Sequence, residues 1–168
     1  MRAILILVIA LLLASCDYYI VNPHHHQVGH IDMDGSDSTD FNPCFKEKLF
    51  AHHTAWNRYW VYKYPPGKDS LRLYYDKLFD NQGIVNQSGY ITLRFVINCK
   101  GEAGYFEIEE LGLDYKKKKF NPELTNHLLE LTKSIAKWHP YTHGDSTFDS
   151  FTHLTFKIEN GELLEILP

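Results

Sequence analysis

Basic residues are not in excess in this chain: 17 Lys and Arg stand against 21 Asp and Glu, a formal net charge of −4 at pH 7. A nucleic-acid binder needs a cationic footprint to match the phosphate backbone, so nucleic acid is not an expected partner. The short signatures that carry chemistry are also missing. There is no Gly-X-Ser-X-Gly elbow, no His-Glu-X-X-His helix, no phosphate loop and no Cys-X-X-Cys pair. Each of these places a nucleophile, metal ligands, an anion cradle or a dithiol at a fixed spacing. Without them the chain reads as a non-enzymatic protein that needs no cofactor. Long apolar runs are lacking too. The longest, Ala3–Ala14, falls short of the roughly 20 residues that cross a bilayer. What remains is ordinary for a globular domain: 168 residues, 44% hydrophobic and 23% charged, enough for one domain with a core. Aromatics are dense, with 11 Tyr and 10 Phe, which suits β-rich structure.

The chain opens with Arg2, the apolar run, and then Leu13-Ala14-Ser15-Cys16. A positive start, a short hydrophobic core and small residues at a cleavage site make a secretory signal peptide of residues 1–15. Its end resembles the lipobox of bacterial lipoproteins. The resemblance implies cleavage before Cys16, acylation of that cysteine, and a mature chain running from Cys16 to Pro168 held at a membrane by lipid. The expected location is the cell envelope. Asp17 is similar to an inner-membrane retention signal, while the outer membrane is the favoured alternative.

Residues 16–42 read as the lipidated tether, since Gly35-Ser36-Asp37-Ser38-Thr39-Asp40 is polar and turn-rich. A flexible linker of about 26 residues reaches roughly 25–30 Å. With Cys16 lipidated, Cys44 and Cys99 are left over outside the cytoplasm, where disulfides persist. They are expected to bridge; two buried free thiols are the alternative. Residues 43–88 read as an extension packed on the main domain, 89–168. Within that extension Leu71, Leu73, Tyr75 and Leu78 fit a helix or a strand equally well.

The second half is patterned more clearly. Ile91, Leu93, Phe95 and Ile97 alternate with mostly polar residues, which predicts a strand, and Ala103–Glu110 returns after a turn with Phe106 and Ile108 on one face. Asn121-Pro122-Glu123 supplies an N-cap, a first-turn proline and a first-turn acid. The stripe Leu124, Leu128, Leu131, Ile135 follows, with Lys133 and Lys137 near the end of the helix. Phe151–Ile158 alternates again, Asn160-Gly161 signals a tight hairpin, and Leu163–Leu167 is the partner strand. The fold class is α+β: an antiparallel sheet with one helix packed on it, in the order β-β-α-β-β.

Four groups of side chains invite a functional reading, each with a plainer one beside it. His24-His25-His26, His30, Asp32 and Asp34 have ligand chemistry for a transition metal, or form a solvated linker; Asp32-Met33-Asp34-Gly35 is only loosely like a calcium loop. His139 and His143 have helical ligand spacing that Pro140 breaks. Trp56, Tyr59, Trp60, Tyr62 and Tyr64 form core, a partner face or a glycan platform. Lys116-Lys117-Lys118-Lys119 precede the helix, as a solvated loop or as a contact for anionic lipid headgroups.

From Gly89-Tyr90-Ile91-Thr92-Leu93-Arg94-Phe95-Val96-Ile97-Asn98 and Gly101, through Trp138-His139-Pro140, to Leu154-Thr155-Phe156-Lys157-Ile158, the chain resembles the TonB C-terminal domain as found in lipoproteins of the Bacteroidetes. That pattern is a glycine, an alternating strand, an asparagine-and-glycine turn, a helix ending in aromatic-X-Pro, and a final strand. Tyr64-Pro65 is similar to the Tyr-Pro before the first strand of that family, but stands far from Gly89. TonB itself couples to a proton-driven motor through a transmembrane helix and a proline-rich arm, neither of which the sequence has, so direct energy transduction is not implied. The resemblance implies recognition of a protein partner in the envelope by strand addition. The implied edge is Leu154–Ile158 or Leu163–Leu167, with Leu154, Phe156, Ile158, Leu164 and Ile166 as contact residues and no metal.

Overall fold

The alternating segment Gly89–Ile97 is an internal strand of a sheet that is antiparallel apart from the two-residue parallel pairing of Phe50–Ala51. A computed structural model describes Ile31 and residues 41–45, 49–51, 68–136 and 138–167, all belonging to one compact unit, Ile31–Pro168. The expected signal peptide, Cys16, the histidine-rich stretch and Trp56–Tyr64 lie outside the described residues. In chain order the elements are β1 (Phe50–Ala51), α1 (Lys68–Leu78), β2 (Gly89–Ile97), β3 (Ala103–Leu111), α2 (Pro122–Lys133), β4 (Tyr141–His143), β5 (Ser146–Phe148), β6 (Ser150–Glu159) and β7 (Glu162–Leu167). Among the described residues the class is α+β with two helices: α2, which the sequence predicted, and α1, in a segment that fitted a helix or a strand.

β2 pairs with β3 on one side and with β6 on the other, and β6 in turn carries both β1 and β7 on its far side. Ile91, Leu93, Phe95 and Ile97 of β2 and Leu154, Phe156 and Ile158 of β6 share one fully buried face. Both helices pack into this core. In α1, Leu71 and Tyr75 are four residues apart and buried, while Leu73 is 67% exposed. The spacing of 71 and 75 puts them on one helical face, and Leu73 falls off it. The Tyr75 ring meets Phe156 at 4.9 Å, and its hydroxyl hydrogen-bonds Thr132 Oγ1 of α2 at 2.7 Å.

α2 begins as its caps dictate: the Asn121 side chain accepts from the Glu123 N–H, with Pro122 in the first turn. It ends sooner than its apolar stripe predicts. The helix stops at Lys133, its buried residues are Leu124, Thr125, Leu128 and Thr132, and Leu131 is only partly buried. Ile135 is buried from beyond the helix. The cause lies just downstream. The Trp138 N–H donates to the Gly101 carbonyl at 2.8 Å, pulling the chain onto the β2–β3 turn, and the indole packs at a tilt against Phe95, 4.9 Å between ring centres.

Two irregularities matter for the site. Between Arg94 and Val96 the β2–β3 register shifts, with Tyr105 at φ +53° as the extra residue of a bulge in β3. A second shift falls between Lys157 and Ile158 in the β6–β7 pairing. The hairpin before it turns at Asn160 and Gly161, both with positive φ, as a two-residue turn of that type demands. A Cβ at Gly161 would overlap the Ile84 carbonyl. Two positions in the expected tether are packed: Ile31 is buried, and Phe41 lies on Gly104 with its ring edge-to-face on Tyr105 at 5.2 Å.

Candidate functional site

Strand order decides which backbone edge can take up another chain. β6 is hydrogen-bonded to β2 along its whole length, from Gly89↔Ile158 to Ile97↔Ser150. On its other side it pairs with β1 at Ser150 and Phe151 and with β7 from Thr155 to Glu159. Leu154, Phe156 and Ile158 are therefore core residues of an internal strand. That corrects the expectation that they form a partner-binding edge: their apolar side chains are spent on the helices and their backbone on neighbouring strands.

The five-stranded sheet is bounded by β3 on one side and by the two-residue β1 together with β7 on the other, and the two long edges, β3 and β7, differ. β3 is closed near its C-terminal end, where the following segment folds back to pair Leu111 with Lys117, with the Lys118 N–H donating to the Glu110 carbonyl at 3.1 Å; at its other end Phe41 lies on the sheet face over Gly104. Its middle carries a bulge and the acids Glu107 and Glu109, devices that discourage strand pairing. β7 is guarded only at its start. Arg72 of α1 donates to the carbonyls of Leu163 and Leu164 and is held by Asp76 at 2.7 Å. Asn81 Nδ2 donates to the Glu162 carboxylate at 2.7 Å. Among the described residues, no strand pairs with the outer side of Glu165–Leu167.

Strict alternation would set Leu164 and Ile166 on one face, and the second register shift prevents it. The unpaired Leu164 is 44% exposed, whereas Leu163 and Ile166 turn inward. Of the two expected β7 contacts, Leu164 faces out and Ile166 belongs to the core.

The sheet's other face carries a polar ladder fixed by register. Glu107, Arg94 and His153 stand opposite one another across β3, β2 and β6, with Arg94 Nη2 and the Glu107 carboxylate 3.0 Å apart. On the next rung Thr92 and Thr155 join hydroxyls at 2.9 Å.

At the opposite end of the strands from the β6–β7 turn, Cys44 and Cys99 form a disulfide with Cα atoms 5.9 Å apart. The sequence did not single out the residue that organises this corner. Asp149 is fully buried; its Oδ1 accepts the Cys99 N–H at 2.8 Å and its Oδ2 the Phe45 N–H at 2.7 Å. Its carbonyl accepts the Phe50 N–H at 3.0 Å. Asn98 adds a bond from Nδ2 to the Asn42 carbonyl at 3.0 Å. Above this corner Phe50 stacks on Tyr141 at 5.2 Å and meets Phe148 at 5.0 Å, in a β4–β5 hairpin the sequence reading passed over. Tyr141-Thr142-His143 and Ser146-Thr147-Phe148 around Gly144-Asp145 did signal it.

Cys44, Cys99 and Asp149 are also the described residues that come nearest to a metal-ligand cluster. The sulfurs are bonded to each other and both carboxylate oxygens accept backbone N–H groups, so the donor set is spent. His139 Nδ1 meets the Pro140 carbonyl at 2.9 Å and His143 lies beyond in β4, so this pair is no helical ligand set. Lys116–Lys119 lie in the β3–α2 loop, as predicted. No family model, no curated protein and no solved structure matches this chain.

Proposed function

We propose that this chain is a lipid-anchored binding module of the cell envelope, similar in plan to the TonB C-terminal domain, that takes up an extended segment of a protein partner along β7. It works without chemistry, cofactor or direct coupling to the proton-motive force. Acylation at Cys16, on the outer membrane by preference, keeps it at the surface. The lipobox Leu13-Ala14-Ser15-Cys16 supports the anchor, and the order hairpin, helix, Trp138-His139-Pro140, strand supports the plan. The observation that carries the binding reading is the half-guarded edge of β7. Arg72 occupies the first carbonyls, and Glu165–Leu167 continues beyond it with exposed side chains at Leu164 and Glu165. An added strand gains main-chain hydrogen bonds there, and Leu164 supplies an apolar contact.

A photoreactive residue at position 165 of the full chain, expressed in the cells that make it, should form an adduct with an envelope protein. The same residue at position 130, exposed on α2, should not. Leu164→Lys should reduce the adduct at least tenfold, because a lysine on an edge strand opposes pairing. Its stability should change by less than about 0.5 kcal/mol, as for other exposed sites. Equal labelling from both positions, or an adduct indifferent to Leu164→Lys, would exclude β7 as the contact.

A further inference from the structure

We propose that the loop Gly112–Lys119 is a docking tip for an anionic lipid bilayer, with Leu113 and Tyr115 entering the headgroup layer and the lysines pairing with lipid charges. The inference rests on neither the β7 edge nor acylation at Cys16.

The loop is built, not merely exposed. The Gly112 N–H donates to the Lys116 carbonyl at 2.8 Å and the Tyr115 N–H to the Gly112 carbonyl at 3.0 Å. The Asp114 carboxylate takes the Lys116 N–H at 3.2 Å, and the return segment pairs with β3 at Leu111↔Lys117. Tyr115 holds φ +60°, and its ring stacks on Tyr90 at 5.4 Å. A hydrogen bond between the two phenols raises the Tyr90 hydroxyl above its ordinary pKa. A tip fixed in this way loses little conformational entropy on docking.

What the loop presents is amphipathic. Leu113 is 51% exposed and Tyr115, although stacked on Tyr90, 71%. Four consecutive lysines stand beside them in a chain whose net charge is −4. Asp114 pairs with Lys116 at 3.2 Å and the buried Glu110 with Lys119 at 2.9 Å. Lys118 reaches the Ser88 carbonyl at 2.8 Å, which engages its ammonium without neutralising it. Four cations against two carboxylates leave the loop locally positive. An aromatic and an aliphatic residue flanked by lysines is the composition that partitions to a membrane interface, with rings at headgroup depth and ammonium groups reaching lipid charge. A soluble polyanion would use the lysines and leave Leu113 unexplained.

The Ile31–Pro168 unit has its own core and disulfide and lacks Cys16, so it can be tested without any acyl chain. In co-sedimentation it should bind vesicles of phosphatidylcholine mixed with phosphatidylglycerol and ignore phosphatidylcholine alone, with binding that falls as salt is raised. Changing Lys116, Lys117 and Lys119 to Gln should weaken binding roughly a hundredfold, at about fivefold per lysine near a charged surface. Because Lys119 neutralises Glu110, a second variant alters only Lys116 and Lys117 and should still lose over tenfold. Leu113→Ser with Tyr115→Ser should lose on the order of tenfold or more at low salt. Equal binding to both vesicle types, no binding to either, or variants that bind like the parent would overturn the proposal. Retention on heparin without vesicle binding would overturn it too, assigning the lysines to a soluble polyanion.

Discussion

Trp138→Ala is expected to destabilise the domain by about 3–5 kcal/mol, as large-to-small aromatic substitutions in cores do. Trp138 is 1% exposed and ranks among the largest fully buried side chains. Its indole packs against Phe95, which itself stacks on Phe106 at 5.0 Å. The cavity would open where α2 hands the chain back to the β2–β3 turn, so the effect should extend beyond the lost contact. The backbone bond from Trp138 to Gly101 survives the substitution, but the side chain that holds the segment down does not. Trp138→Phe keeps an aromatic ring in place and should recover much of the loss. Leu73→Ala, at a 67% exposed position, should change stability by less than about 0.5 kcal/mol. Urea unfolding should show a lower midpoint at unchanged slope for Trp138→Ala. A loss below about 1 kcal/mol would mean that the aromatic-X-Pro segment does not seat the core as drawn.

The parts of this fold that could be read in the sequence are those where one local periodicity acts alone. β2 alternates, Val96 apart, because helices cover one of its faces, and α2 announces itself through Asn121 and Pro122. Tertiary contacts overrode local pattern elsewhere. The apolar stripe of α2 continues to Ile135, yet the helix ends at Lys133 because Trp138 is drawn to Gly101. In α1, the set Leu71, Leu73, Tyr75 and Leu78 fits either period until Tyr75 is seen between Phe156 and Thr132.

The candidate site was less legible, for a reason of topology. β6 alternates and β7 is as apolar without alternating, and no local feature says which is internal. Only the pairing of β1 and β7 with the far side of β6 removes Leu154, Phe156 and Ile158 from consideration. The bulge that turns Leu164 outward and Ile166 inward shows in the sequence only as the adjacent Leu163 and Leu164, which do not say which of the two turns inward. The lysine run was visible, but its apolar companions Leu113 and Tyr115 stand out only once their exposure is known. Asp149 was hidden for a similar reason: a lone acid between Phe148 and Ser150 has no sequence partner, and the groups it holds are 50 and 104 residues away.

Reduction of the Cys44–Cys99 bond and loss of Asp149 should each be costly, and their costs should not add. The bond closes a loop of sequence separation 55, for which the chain-entropy relation gives about 4 kcal/mol. Reduction should therefore lower the melting temperature by on the order of 10 °C. Asp149→Ala strips the acceptor from the N–H groups of Cys99 and Phe45 in a buried corner, at about 1–3 kcal/mol for each unsatisfied donor. Asp149→Asn should recover part of this, since its amide retains one acceptor oxygen. Both the disulfide and the carboxylate hold the Cys44–Phe45 segment to the same turn, so once one is gone the other restrains a segment that already frays. In a double-mutant cycle with Cys44→Ser and Cys99→Ser, the coupling should exceed about 0.5 kcal/mol. Limited proteolysis should locate the damage at Phe45 and Phe50, whose rings leave Phe148 and Tyr141 as the corner opens. Strict additivity would mean that the carboxylate and the disulfide secure the chain independently. Two freely alkylated thiols in the unreduced protein would remove the disulfide from the account and leave Asp149 as the principal clamp.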